Sequence, residues 1–132
     1  ILSPSSFTQL IISEYLHTAD WQSQIATFRD VYRERRDALL TALGEYLPDL
    51  SWTLPDGGFY VWLTLPDQLD ASRMLPHAVN ELVAYTPGSA FYADGSGRNN
   101  IRLSFSYPSP AFIHEGVRRL STVVAAELVR VQ

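Results

Sequence analysis

The segment Phe59-Tyr60-Val61-Trp62-Leu63-Thr64-Leu65 limits most strongly how this chain can fold. It is dense in β-branched and aromatic residues, follows the turn signal Pro55-Asp56-Gly57-Gly58, and is closed by Pro66. That combination reads as a strand. Three other segments read the same way. Ser51 to Leu54 is short and strand-like. Val83-Ala84-Tyr85-Thr86 is ended by Pro87-Gly88. Asn100 to Ser106 alternates Ile101, Leu103 and Phe105 against Arg102, Ser104 and Ser106.

Helical patterns surround these strands. Ser3-Pro4 opens the first, because Ser can cap and Pro suits the first helical position. Phe7, Leu10, Ile11 and Tyr15 follow at helical spacing. A break at His17-Thr18-Ala19-Asp20 places Asp20 as the next cap. The long helix after it carries a stripe of Trp21, Ile25, Phe28, Tyr32, Leu39, Leu43 and Tyr46. Its other face holds Arg29, Asp30, Arg33, Glu34 and Asp37, which read as solvated, and Pro48 ends it. Asp70 caps a helix through Asn80 that Pro76 is expected to kink or shorten. Pro108-Ser109-Pro110 starts the last helix, with Ile113, Val117, Leu120, Val124, Leu128 and Val131 on one face. The predicted order is α-α-β-β-α-β-β-α. The predicted class is α+β: a two-layer sandwich with helices covering one face of a small sheet. The first helix is the weakest member of that core.

Composition narrows the chemistry. The 132 residues suit one compact domain, and 46% hydrophobic with 18% charged residues is an ordinary globular balance. The net charge of -4 gives no footprint for nucleic acid. No apolar run is long enough for a membrane span. There is no cysteine, and His17, His77 and His114 lack metal-ligand spacing. All ten basic residues are arginine, so this chain cannot form a lysine Schiff base. The chain starts at Ile1 rather than Met and is expected to be an internal piece of a longer protein.

Arg102 is the leading candidate for chemistry. Its neighbours Ile101 and Leu103 turn it away from the apolar face, and a guanidinium on a rigid strand can hold a carboxylate with two parallel bonds. An ordinary surface pair with a nearby acid fits the same position. Gly57 and Gly58 either let backbone approach a ligand or simply turn the chain. Pro87-Gly88-Ser89-Ala90-Phe91 is either a loop beside a ligand or a strand terminator. Tyr60, Trp62, Tyr85 and Tyr92 could line a pocket, although aromatics at strand spacing are usually core.

Taken in order, these segments resemble the class I and II aminotransferases. Pro55-Asp56-Gly57-Gly58-Phe59-Tyr60-Val61-Trp62-Leu63 resembles that family's P-x-G-G-(aromatic/Met)-F-x-W strand start. Val83 to Phe91 is similar to its V-x-x-x-P-G-x-x-F segment, and Asn99 to Ser106 to its N-x-x-R-L-x-[FY]-[SA] strand. Glu115-Gly116-Val117-Arg118-Arg119-Leu120 fits the E-G-[IV]-x-R-L ending, and Ser5, Ser6 and Gln9 an S-x-x-x-Q helix. Leu82 departs from the pattern where the family often has Gly. The likeness is nearest to the aminoadipate and aromatic branch, which includes regulators with a fused DNA-binding domain.

The resemblance implies fold type I. Residues 21–132 would form the small C-terminal domain, and residues 1–20 a helix bridging to a large domain. It implies pyridoxal 5'-phosphate, held mainly by that large domain, and amino acid and 2-oxo acid substrates. It also implies a homodimer in the cytoplasm. Arg102 inherits the substrate α-carboxylate, Gly57 and Gly58 the loop near substrate and cofactor, and Asn99, grouped with these substrate-binding residues, a motif position that either serves the site or only orders the strand entry. No catalytic residue falls in this chain, so alone it should be inactive. The other expectation is a sensor domain of a pyridoxal-phosphate-binding transcriptional regulator with little turnover.

Overall fold

The computed structural model describes residues 4–131. They fall into two compact units, Ile1–Val31 and Tyr32–Gln132. The first unit contains α1 (Ser6–Thr18) and the opening turns of α2 (Trp21–Tyr46). Ser3, expected to cap α1, lies outside the described residues. The residue before α1 is Ser5, whose side chain makes no capping bond. Asp20 does cap α2, accepting the Ser23 amide at 3.2 Å. The stripe of α1 buries no residue: Phe7, Leu10, Ile11 and Tyr15 are all exposed. Period alone shows that a helix is amphipathic, not that its apolar face meets a partner.

The second unit carries a four-stranded antiparallel sheet in the order β1-β2-β4-β3. Its strands are β1 (Ser51–Trp52), β2 (Tyr60–Thr64), β3 (Thr86–Pro87) and β4 (Asn100–Ser104). Central β2 and β4 pair Val61 with Leu103, Trp62 with Arg102 and Leu63 with Ile101. Strand alternation then sends Val61, Leu63, Ile101 and Leu103 to one face, where all four are buried. That face packs on Leu39, Ala42 and Leu43 of α2, Met74 and Ala78 of α3 (Ala71–Asn80), and Ile113, Val117 and Leu120 of α4 (Pro110–Arg130). The helices-on-one-face sandwich is therefore as expected. Tyr60, Trp62, Thr64 and Arg102 occupy the opposite, half-exposed face.

The helix ends follow local chemistry. Asp70 caps α3 by accepting the Ser72 and Arg73 amides at 2.9 and 3.2 Å. Burial raises the Asp70 carboxyl, but these amides and the Arg98 guanidinium lower it further, leaving it below its ordinary value. Pro76 does not shorten α3, which runs to Asn80 as expected. In α4 the Glu115 carboxyl is drawn down to about 2 by its bonds to Arg118 and then Arg119, which ties the Glu-Gly-Val-Arg-Arg motif together within one turn.

β1 and β4 each end two residues earlier than expected, at Trp52 and Ser104, and the third strand departs most. Val83 to Tyr85 do not join the sheet, and β3 is only Thr86–Pro87. The first of these residues is used in closing α3. The Leu82 amide donates to the Val79 carbonyl at 2.9 Å, and the Val83 amide to Ala78 at 3.0 Å. This is the Schellman pattern, with Leu82 in the left-handed position at φ +59. Leucine thus takes the backbone that glycine usually supplies. Tyr85 turns into the core instead, and its hydroxyl donates to the Ala71 carbonyl at 2.8 Å.

Candidate functional site

The half-exposed sheet face is organised around Arg102. Its Nη2 is 3.5 Å from Thr86 Oγ1 across the β3–β4 pair, a long hydrogen bond. Its Nε is buried and has no hydrogen-bond partner. Among the described residues no carboxylate pairs with it. Other arginines of the chain are engaged: Arg98 with Asp70, Arg36 with Asp37, Arg118 and Arg119 with Glu115, Arg130 with Glu127. The surface-pair reading of Arg102 therefore does not hold in this structure. A buried donor left open is costly unless something else satisfies it.

Two aromatic rings flank the guanidinium. Its central carbon lies 4.0 Å from the centre of the Tyr60 ring and 4.7 Å from that of Phe91. Tyr60 reaches it along β2, one position beyond Trp62 on the same face. Phe91 arrives from a 3-10 turn, Gly88–Phe91, and meets the Trp62 ring edge-on at 5.5 Å. Gly88 makes that approach possible. A Cβ there would fall 2.5 Å from the Asn100 Cβ and 2.7 Å from the Gly97 carbonyl oxygen. A recess of about 240 Å³ opens beside the guanidinium, lined by Tyr60, Ala84, Tyr85, Thr86, Arg102 and Ser104.

The other expected site residues lie along the same strand pair but not at one point. Gly58 precedes Tyr60 by two residues, roughly 13 Å along β2 from the level of Trp62 and Arg102 at ~3.3 Å per residue. It has φ +79, so the loop uses its conformational freedom. Gly57 has no such angle, and neither glycine has any atom within 4 Å of where a Cβ would stand. Asn99 sits at the opposite end of the pair. Its amide donates to the Leu65 carbonyl at 2.8 Å and to Asp67 at 3.1 Å, while its own carbonyl accepts from the Leu65 amide at 2.7 Å. Asn99 thereby fixes the start of β4 and the end of β2.

Sequence reasoning grouped Tyr60, Trp62, Tyr85 and Tyr92 as possible pocket lining. Tyr60 and Tyr85 do line the recess, Tyr85 with most of its surface in the core, whereas Trp62 and Tyr92 are neighbouring rings, 6.2 Å between centres, on the Arg102 face. Phe91 as a stacking partner was not singled out. Its place in the Pro-Gly-x-x-Phe segment was the available signal.

The family model described as "Aminotransferase class I and II" matches residues 1–120. The chain belongs to this aminotransferase family. It is 40% identical over 128 residues to aromatic-amino-acid aminotransferase 1 of Thermococcus litoralis, covering 96% of this chain and 31% of that protein. A solved α-aminoadipate aminotransferase from Thermus thermophilus, complexed with N-(5'-phosphopyridoxyl)-L-leucine, superposes with a TM-score of 0.84 at 37% identity. That match covers 92% of this chain and 31% of the other. The relatives also include an uncharacterized HTH-type transcriptional regulator of Bacillus subtilis, 34% identical over 96% of this chain and 25% of its own length. The chain spans about a third of the length of the aminotransferases it matches. Among the described residues no helix is long and apolar enough to cross a membrane.

Proposed function

We propose that the full-length protein is a pyridoxal-phosphate-dependent aminotransferase that moves an amino group between an amino acid and a 2-oxo acid. In this reading Arg102 binds the substrate α-carboxylate. The supporting observation is the guanidinium itself: partly buried, without an acid among the described residues, with Nε unsatisfied. A planar carboxylate supplies two acceptors in the geometry that a guanidinium fork matches.

The residues present fit one end of the reaction centre. The Arg102 guanidinium, paired with no acid among the described residues and with Nε unsatisfied, suits the substrate's carboxylate, whereas no lysine exists here to meet a cofactor aldehyde. Bound pyridoxal phosphate supplies an electron sink for the bonds at the substrate Cα. Arg102 contributes orientation, because a carboxylate held at two points limits rotation of the adjoining Cα, and orientation of this kind can lower a barrier by several kcal/mol. Gly57 and Gly58 form the edge of the substrate loop, and Asn99 keeps the Arg102 strand in register with β2. Residues 21–132 act as the small domain. The segment 1–20 bridges to the large domain through α1, whose exposed apolar stripe supports this reading. The whole protein works as a homodimer in the cytoplasm, and these 132 residues alone turn nothing over.

The test is Arg102→Ala in the full-length protein, read as transamination efficiency. Truncating one partner of a buried charge pair costs roughly 2–5 kcal/mol, so kcat/KM should fall by about 30-fold or more. An efficiency within twofold of wild type would remove the clamp role.

The regulator relative supports a second reading, an aminotransferase-like sensor domain that binds pyridoxal phosphate or an amino acid with little turnover. A basic winged helix-turn-helix segment ahead of this chain, with ligand binding but no amino transfer by the purified full-length protein, would favour it.

A further inference from the structure

We propose that Phe91, together with Tyr60, takes the place of a counter-ion at Arg102. The two rings hold the guanidinium charged and ordered without placing a competing carboxylate on its N–H groups. This inference rests on the carboxylate-clamp reading of Arg102 and adds a positioning role for Phe91.

An unpaired guanidinium that is partly buried faces a desolvation cost, which proteins usually meet with a carboxylate. The Arg36–Asp37 and Arg119–Glu115 pairs of this chain are examples. Arg102 has no such partner among the described residues, and its cationic carbon instead lies 4.0 and 4.7 Å from two ring centres. An aromatic face carries the negative part of the ring quadrupole and attracts a cation placed over it. A ring attracts the cation through its π face and brings no carboxylate oxygen to the guanidinium fork. A carboxylate in the same place would occupy the fork that substrate must use, and binding would then have to break that pair first. Rings stabilise the charge and do not compete.

Phe91 is the removable half of this arrangement. Tyr60 belongs to β2, where it faces Ser104 of the neighbouring strand. Phe91 stands on the short turn after β3, is about half-exposed, and leans on Trp62 rather than on the core. Replacing its ring should change the setting of Arg102 while the sandwich stays intact.

The test uses the full-length protein loaded with its cofactor. The twenty standard L-amino acids are screened by calorimetry, and the tightest binder becomes the probe for Phe91→Leu, Phe91→Tyr, Arg102→Ala and the double variant Phe91→Leu/Arg102→Ala. Phe91→Leu should weaken binding by about 3- to 30-fold, in line with one desolvated cation–π contact. Phe91→Tyr, which keeps a ring, should stay within twofold of wild type. In the Arg102→Ala background Phe91→Leu should add nothing, since the ring acts through the guanidinium. For variants that turn over, KM should rise with kcat nearly unchanged. If Arg102→Ala abolishes binding while Phe91→Leu stays within twofold, or if Phe91→Leu weakens binding equally in both backgrounds, the counter-ion role is wrong and the clamp stands. If no amino acid binds, or Arg102→Ala is silent, the clamp reading itself fails and takes this inference with it.

Discussion

The Val83 amide donates to the Ala78 carbonyl at 3.0 Å, and this bond closes α3 over Leu82 at φ +59. The left-handed region costs an L-residue roughly 1–2 kcal/mol, which glycine avoids. Leu82 is 80% exposed, so little packing offsets that strain. Glycine gives back part of the gain through its freer unfolded chain. Leu82→Gly should therefore raise stability by about 0.5–1 kcal/mol, seen as a higher urea midpoint at unchanged m-value. A lower midpoint would mean that the exposed side chain packs after all.

At Gly88 the limit is space rather than angle. An added Cβ would meet Asn100 Cβ at 2.5 Å and the Asn100 carbonyl oxygen at 2.8 Å, and backbone there cannot swing aside like a side-chain tip. Gly88→Ala should cost about 1–3 kcal/mol and displace the turn that carries Phe91. Denaturation together with a crystal structure of the variant would check both halves.

Tyr85 should govern behaviour in alkali. Burial, then the nearby Glu127 and Asp70 carboxylates, push its phenol well above the usual range. Unfolded tyrosine ionises near pH 10, whereas the folded side chain keeps its proton. The folded state then binds more protons, so stability is intact below about pH 10 and declines above it. Tyr85→Phe should lose about 1 kcal/mol at neutral pH with the bond to Ala71, and its stability should fall less steeply from about pH 10 to 11. Equal slopes for the two proteins would assign the alkaline loss to other groups.

Asp70 gives the opposite limb. Its folded carboxyl lies below its ordinary value, so its contribution is present above about pH 4 and is lost as pH falls through the lower folded value. Asp70→Asn retains a capping oxygen but gives up the charge that pairs with Arg98. It should flatten the acid limb with only a small cost at neutral pH, whereas Asp70→Ala should cost about 1 kcal/mol there through the lost cap. Urea titrations at neutral pH and at about pH 3 separate the two variants.

The sequence is most readable where one local rule decides. Alternation in Ile101-Arg102-Leu103 is enough to orient β4, and Asp70 followed by an apolar period is enough to start α3. It is least readable where distant parts compete for the same residues. Val83 looks like a strand residue until the cap of α3 claims its amide, and Tyr85 looks like one until its hydroxyl finds Ala71. Arg102 could be placed on the correct face, but its lack of an acid depends on where every carboxylate ends up. The Phe91 contact depends on a 3-10 turn whose position is set by Gly88 against Asn100. The α1 stripe was legible as a pattern, yet pattern does not say what covers it.

The strict alternation of β4 also acts as an error check on the chain. Inserting or deleting one residue between Asn100 and Ser104 would drive the Arg102 cation into the aliphatic layer and turn Ile101 and Leu103 out to water in the same event. No intermediate slip is tolerable, so length changes should be purged from this stretch and collect instead in the exposed loop at 93–96, which leads into the strand through Gly97, Arg98 and Asn99.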